Sequence, residues 1–179
     1  MLPDKTIYKL RLAELLGVLW MTNKRSFKNG FALKEGKGTH ISFRGTKMTV
    51  KVSSDDSEGK YSLIEMVHPP NIGPALHSHP DAPEAYYVLD GEYFIRFGEK
   101  TFTAKKNDLV LVPKGVIHNY QTGPEGGRML VISPAGLEKY FEQVSNVLLN
   151  KGSITWDLEK EIACEYGQEF IDNLKHWGQ

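Results

Sequence analysis

Cysteine is nearly absent: the chain of 179 residues has one, Cys164. No internal disulfide can form, which fits a reducing compartment and leads to the expectation of a cytoplasmic protein. Cys164 is also a poor nucleophile, because EIACEYG sets it close to Glu161 and Glu165, and carboxylates raise a thiol pKa. Net charge is absent as well. The 22 basic and 22 acidic side chains cancel, and no block of one sign reaches five residues. A nucleic-acid partner calls for a basic surface, so that class is set aside. Long apolar runs are missing too. The candidate nearest the start, YKLRLAELLGVLW, is interrupted by Arg11 and Glu14. It is too short to span a bilayer and lacks the uninterrupted core and cleavage site of a signal peptide, so no membrane partner is expected. No internal repeat and no low-complexity segment occurs.

What is present divides the chain into three. Residues 1–38 read as a short amphipathic helix, with Leu12, Leu15, Leu16 and Leu19 at helical spacing, followed by a Lys- and Gly-rich linker. Met21 is an alternative start to Met1. Residues 39–134 change character. Short β-branched and aromatic runs alternate with turn signals: ISFRG, TKMTVKVS, KYSLIEMVH, PALHSH, EAYYVL, EYFIRFG, KTFTA, DLVLVP, HNYQT and RMLVIS. Alternation is explicit in YFIRF, where Tyr93, Ile95 and Phe97 share one face and Phe94 and Arg96 the other. Asp90-Gly91 predicts a tight hairpin, Phe97-Gly98-Glu99-Lys100 a second turn, and Pro124 with Gly126 and Gly127 a third. About ten short strands with no helix between them predict an all-β fold, an antiparallel sandwich or barrel.

Residues 135–179 return to a helical period. Leu137, Tyr140, Phe141, Val144 and Leu148 form one stripe that Gly152 is placed to end. Leu158, Ile162, Tyr166, Phe170 and Leu174 form a second, recurring every four residues. Both stripes need a surface, either the outside of the sheet or a partner subunit. Exposed strand edges and these stripes make a two-fold homodimer the expectation. Trp20, Trp156 and Trp177, all in the terminal segments, are expected to pack against a dimer partner.

The chemistry concentrates in LHSHPDAPEAYYVLDGE, residues 76–92. His77 and His79 are two apart, so on a strand both imidazoles point to one face. Glu84 follows Pro80 and Pro83, where the chain turns into the next strand. His118 follows the Pro113 and Gly115 turn in VPKGVIHNY. An isolated His-x-His is often only a surface or core pair. Three imidazoles with one carboxylate, however, suit a first-row metal ion. The other histidines lack partners: His40 and His176 lie on the flanks, and His68 at a strand end before two prolines reads as a surface residue. Arg96 and Arg128 are candidates to anchor an anionic substrate, although a strand arginine with its head in solvent is the commoner outcome.

The full pattern is Gly73-x(3)-His77-x-His79-x(4)-Glu84-x(6)-Gly91, then Pro113-x-Gly115-x(2)-His118. It resembles the two motifs of the cupin superfamily. The first stretch matches at both histidines, the Glu and the closing Gly, and the second at Pro113, Gly115 and His118. Two positions depart: Asn107 where the second motif usually opens with Gly, and Thr122 where the family often has Asn. Neither is a ligand position, and Asn tolerates a positive φ. The flanks, from about residue 37 to 172, are similar to single-domain cupins of the quercetin dioxygenase-like group. EIACEYGQEFI resembles that group's short terminal helix.

The resemblance implies a cupin jelly roll with a short N-terminal helix and C-terminal helices. It also implies one divalent transition-metal ion (Mn, Fe, Ni, Co, Cu or Zn) on His77, His79, Glu84 and His118. Four protein ligands on an octahedral ion leave two positions open. In a quercetinase-type dioxygenase these take a small-molecule substrate and dioxygen, and Glu84 also acts as base; the alternative is that Glu84 is a ligand alone. Leu76, Tyr86, Val88, Phe94, Phe102, Val112 and Ile117 are the candidate pocket residues; such positions are more often plain core, and a minority near the metal is expected to form the pocket. Two other functions use the same site: a non-redox isomerase or lyase, and a binding or sensing module without turnover.

Overall fold

Period-two alternation becomes nine strands in the computed structural model, which describes residues 30–171. The helix expected over Leu12–Leu19, and Leu174, His176 and Trp177, lie outside the described residues. The strands are β1 (Thr39–Phe43), β2 (Thr46–Val52), β3 (Ser62–His68), β4 (His77–Ser78), β5 (Glu84–Phe97), β6 (Lys100–Lys105), β7 (Leu109–Val112), β8 (His118–Ser133) and β9 (Glu169–Phe170). Two helices, α1 (Leu137–Lys151) and α2 (Trp156–Glu165), separate β8 from β9. Among the described residues no helix is long and apolar enough to cross a membrane.

All pairings are antiparallel, and they form two layers of a jelly roll. One layer runs β1-β2-β3, then the second half of β8, the first half of β5, and β7. The other runs β9-β4, then the first half of β8, the second half of β5, and β6. The layers are therefore joined by two long strands that both bend from one layer into the other.

Those bends correct two expected turns. Asp90-Gly91 makes no hairpin, and Pro124 with Gly126 and Gly127 makes no chain reversal. β5 and β8 each continue through, paired from Ala85↔Ile132 to Phe97↔His118, with register shifts between Val88 and Asp90 and between Gly91 and Tyr93. The glycines are needed because the two strands cross closely at the bend. A Cβ on Gly91, at φ 79°, would lie 2.5 Å from the Gly126 carbonyl oxygen. A Cβ on Gly127 would lie 2.7 Å from the Tyr93 ring. The local chemistry is that of a turn, but it serves a bulge that bends both strands. The Phe97–Lys100 turn forms as expected, with Phe97 paired to Lys100.

Inward positions of both layers make the main core, with Ile64, Tyr86, Val88, Tyr93, Ile95, Met129 and Val131 all but fully buried. Each such aliphatic side chain contributes about 1.5–3 kcal/mol relative to exposure. The first helical stripe behaves as expected. Leu137, Tyr140 and Val144 are buried, and Gly152 caps α1 at φ 73°. They pack with Ile162, Ala163, Ala75 and Phe170 into a second core. The buried Glu138 carboxylate fastens α1 to the sandwich, accepting from the Ser54 amide at 2.7 Å and from the Ser62 hydroxyl.

The second stripe is cut short. α2 stops at Glu165, Gly167 adopts φ 69°, and Glu169–Phe170 becomes a strand on β4. The tail EIACEYGQEFI is thus half helix and half strand, because the Tyr166–Gly167 turn intervenes. Trp156 stacks on Phe170 of the same chain at 5.0 Å.

Candidate metal centre

Three of the four cluster residues sit where a strand begins. His77 opens β4, Glu84 opens β5, and His118 opens β8 directly opposite His77. His79 follows β4, and its carbonyl accepts from the Gly115 amide at 2.8 Å, which ties the two motifs together. Asn107 takes the positive φ its place in the second motif requires, at 73°. Thr122 pins the 69–72 loop by donating to the Pro69 carbonyl at 2.8 Å and accepting from the Ile72 amide at 3.0 Å.

All four side chains are buried, and one donor atom from each lies within 4.8 Å of the others. The imidazoles are oriented from behind. His77 Nδ1 meets the Ala75 carbonyl at 2.8 Å, His118 Nδ1 the Val116 carbonyl at 2.8 Å, and His79 Nδ1 the Gly167 carbonyl at 3.1 Å. A carbonyl only accepts, so each Nδ1 carries the proton and each Nε2 presents a lone pair to the centre. This is the backing that metal-bound histidines have. His79 Nε2 is buried without a hydrogen-bond partner. His118 Nε2 lies 3.2 Å and His79 Nε2 3.6 Å from Glu84 Oε2. Lone pairs facing a carboxylate in a dry interior require a cation between them, either a proton or a metal ion.

The charge states agree. Burial, with the neighbouring His118 and His79 charges, pushes His77 down to about 3, so it is a neutral ligand. Burial opposes charge on His79 as well, but Glu84 outweighs it and the pKa is raised. Burial alone would raise Glu84; the His118 and His79 imidazoles beside it instead hold it well below the ordinary carboxylate range. Tyr86 donates to Glu84 Oε2 at 2.5 Å. Three imidazole nitrogens and a carboxylate oxygen fit a divalent first-row ion, without choosing among Mn, Fe, Co, Ni, Cu and Zn.

The cluster opens on a cavity of about 330 Å³. His77, Glu84 and Tyr86 lie in its wall, with His68 and Tyr120 further along and Phe43, Met48, Met66, Phe141 and Phe170 around them. Of the seven candidate pocket residues, Tyr86 lines this space and the other six do not. Val88 and Val112 are sealed in the core, Leu76 is buried outside the wall, and Phe94 alternates away from inward-facing Tyr93 and Ile95. Phe102 and Ile117 are each 38% exposed. The cavity lies toward β1, β2, β9 and α1, whereas most of those six belong to the β6 and β7 side.

His68 corrects another expectation. It is buried, with Nδ1 3.1 Å from the Tyr93 hydroxyl and Nε2 2.8 Å from the Tyr120 hydroxyl. Two sequence signals pointed to this part of the wall. His68 falls in the inward row Ser62, Ile64, Met66, and Tyr120 is two residues after His118. Arg128 pairs with Glu65 at 2.8 Å, and Arg96 donates to the Gly98 carbonyl at 2.8 Å.

In comparison with known proteins, residues 64–133 match the family Cupin_2, described as a cupin domain. The uncharacterized protein YdbB of Bacillus subtilis is 49% identical over 43 residues, which is 24% of this chain and 38% of that protein. The polyketide cyclase RemF of Streptomyces resistomycificus shares the fold at TM-score 0.51 and 20% identity, covering 59% of this chain and 79% of RemF. A predicted oxalate decarboxylase of Thermotoga maritima does so at TM-score 0.50 and 22% identity, covering 58% and 99%.

Proposed function

We propose that this chain, whose residues 64–133 match a cupin domain, is a metal-dependent enzyme of quercetinase type, a dioxygenase acting on an aromatic or enolisable small molecule. The observation that carries the reading is the place of His77 and Glu84 in the wall of an aromatic cavity. A purely structural metal site would be closed, whereas this one faces a ligand-sized space. His77, His79, Glu84 and His118 hold the ion, which when bound supplies Lewis acidity and, if redox-active, a route for electrons to dioxygen.

The chain's own contribution is positional and acid–base. Glu84 faces the cavity as an anion and accepts the proton of a substrate hydroxyl. Tyr86 stays protonated, raised well above the ordinary phenol range by burial and by the Glu84 charge, and steadies that carboxylate. The aromatic rings of Phe43, Phe141 and Phe170 in the wall give planar substrates a face to stack on.

The test is metal analysis of tag-free protein, paired with dissolved-oxygen measurement on adding a flavonol. A stoichiometric redox-active ion and oxygen uptake that Glu84→Gln abolishes support the dioxygenase. Zinc with oxygen-independent turnover replaces it with a lyase or isomerase on the same ligands. A ligand recovered unchanged makes the domain a binding module.

A further inference from the structure

We infer that the Tyr120 hydroxyl, positioned by His68, is a second polar subsite of the cavity, selecting aromatic substrates that carry a hydroxyl or carbonyl remote from their metal-binding oxygen. This inference rests on the enzymatic reading above and deepens it.

The subsite follows from strand geometry. His118 and Tyr120 are two residues apart on β8, so both point inward, about 7 Å apart along the strand. Tyr120 then sits between the metal centre and His68: its ring is 5.5 Å from that of Tyr86 and 5.3 Å from that of His68. Both Tyr120 and His68 line the cavity, whereas Tyr93, the other partner of His68, does not.

The hydrogen bonds leave Tyr120 with capacity to spare. Neutral His68 has one N–H and one acceptor nitrogen, shared between two hydroxyls. With the proton on Nε2, the imidazole donates to Tyr120 and accepts from Tyr93. The Tyr120 O–H then has only the Met66 sulfur, 3.9 Å away, as a partner. A thioether is a weak acceptor, so a substrate oxygen entering the cavity displaces it at a net gain. With the proton on Nδ1, Tyr120 donates to His68 and its oxygen accepts from a substrate hydroxyl. In either tautomer the Tyr120 hydroxyl keeps one position for the ligand, in a wall that also carries Met48, Met66, Thr46 and Asn71.

The experiment compares two probes on metal-loaded protein by titration calorimetry: 3-hydroxyflavone, which has the chelating oxygens and no remote hydroxyl, and kaempferol, which has hydroxyls at the far ring. The wild type should bind kaempferol about fivefold more tightly, the scale of one net hydrogen bond. Tyr120→Phe should lose that preference and bind the two probes with equal affinity. His68 is a positioning residue: His68→Phe should also erase the preference, and His68→Gln, which keeps a donor and an acceptor, should restore it. The ratio of two affinities in one variant does not move with general loss of folding. Equal affinities in the wild type, or a preference that survives Tyr120→Phe, overturn the inference alone. Binding of neither probe overturns the enzymatic reading and this one with it.

Discussion

A buried cluster of three imidazoles and a single buried imidazole, His68, face the same cavity, and they differ in how the ring nitrogens are occupied. In the His77, His79, Glu84 and His118 group every Nδ1 is tied to a backbone carbonyl, which leaves every Nε2 turned inward. In the His68 group both nitrogens are satisfied by tyrosine hydroxyls. The first arrangement is incomplete without a cation and the second is complete without one. Burial alone therefore does not make a histidine a ligand; a backed ring with a convergent free lone pair does.

The largest effect expected from breaking this contrast is loss of metal. His77→Ala should reduce bound ion from stoichiometric to background in elemental analysis. That exceeds the roughly 10–100-fold affinity loss from removing an outer partner of a ligand. His68→Gln should retain the ion. Equal loss in both variants would show that the two groups act as one. Chelation gives the matching stability effect. At an ion concentration about 100 times the Kd, binding stabilises by about 2.7 kcal/mol, so removing the ion should lower the wild-type Tm by several degrees. His77→Ala should already melt at the lower temperature and not respond.

The contrast sharpens in acid. Burial pushes His68 from 6.5 down to about 3 in the folded state. The folded value is depressed, so the unfolded chain takes up the proton first. The contribution to stability is intact above 6.5 and is lost as the pH falls from there toward 3, at about 1.4 kcal/mol per pH unit. Urea titrations of metal-free wild type and His68→Gln across that window should differ in slope by one proton. Identical slopes would mean that His68 protonates freely while folded, contrary to its closed arrangement.

The four cluster residues were legible because a metal site imposes spacing: i and i+2 on a strand, a turn, then a strand start. The strands were legible because one face is dry. The Asp90-Gly91 and Gly126-Gly127 steps were misread because the same residues serve a hairpin and a close crossing of two bent strands. Only the partner strand decides between them. The pocket was misread for a related reason. Inward alternation identifies Val88 and Val112 as interior, but whether an interior position meets core or cavity depends on what covers it. Here the cover is α1 and β9. β9 itself was hidden because Phe170 continues the four-residue period of α2 past the turn at Gly167.

That turn carries the smallest effect. Gly167 holds φ 69°, and its carbonyl accepts from His79 Nδ1 at 3.1 Å. A Cβ there would meet nothing within 4 Å, so Gly167→Ala is opposed only by the left-handed backbone, at about 1–2 kcal/mol. Gly152 is the control, with φ 73° and equally open space at the end of α1. Both alanine variants should lose similar stability in denaturant. Only Gly167→Ala relieves its strain by moving the carbonyl that fixes the His79 ring, so only it should weaken metal affinity, by about tenfold in a competition titration against a chelator. If both variants bind the ion like the wild type, the Gly167 contact does not orient His79. If both weaken equally, strain anywhere in the C-terminal segment reaches the site, and the backing of His79 is a property of that whole segment rather than of one carbonyl.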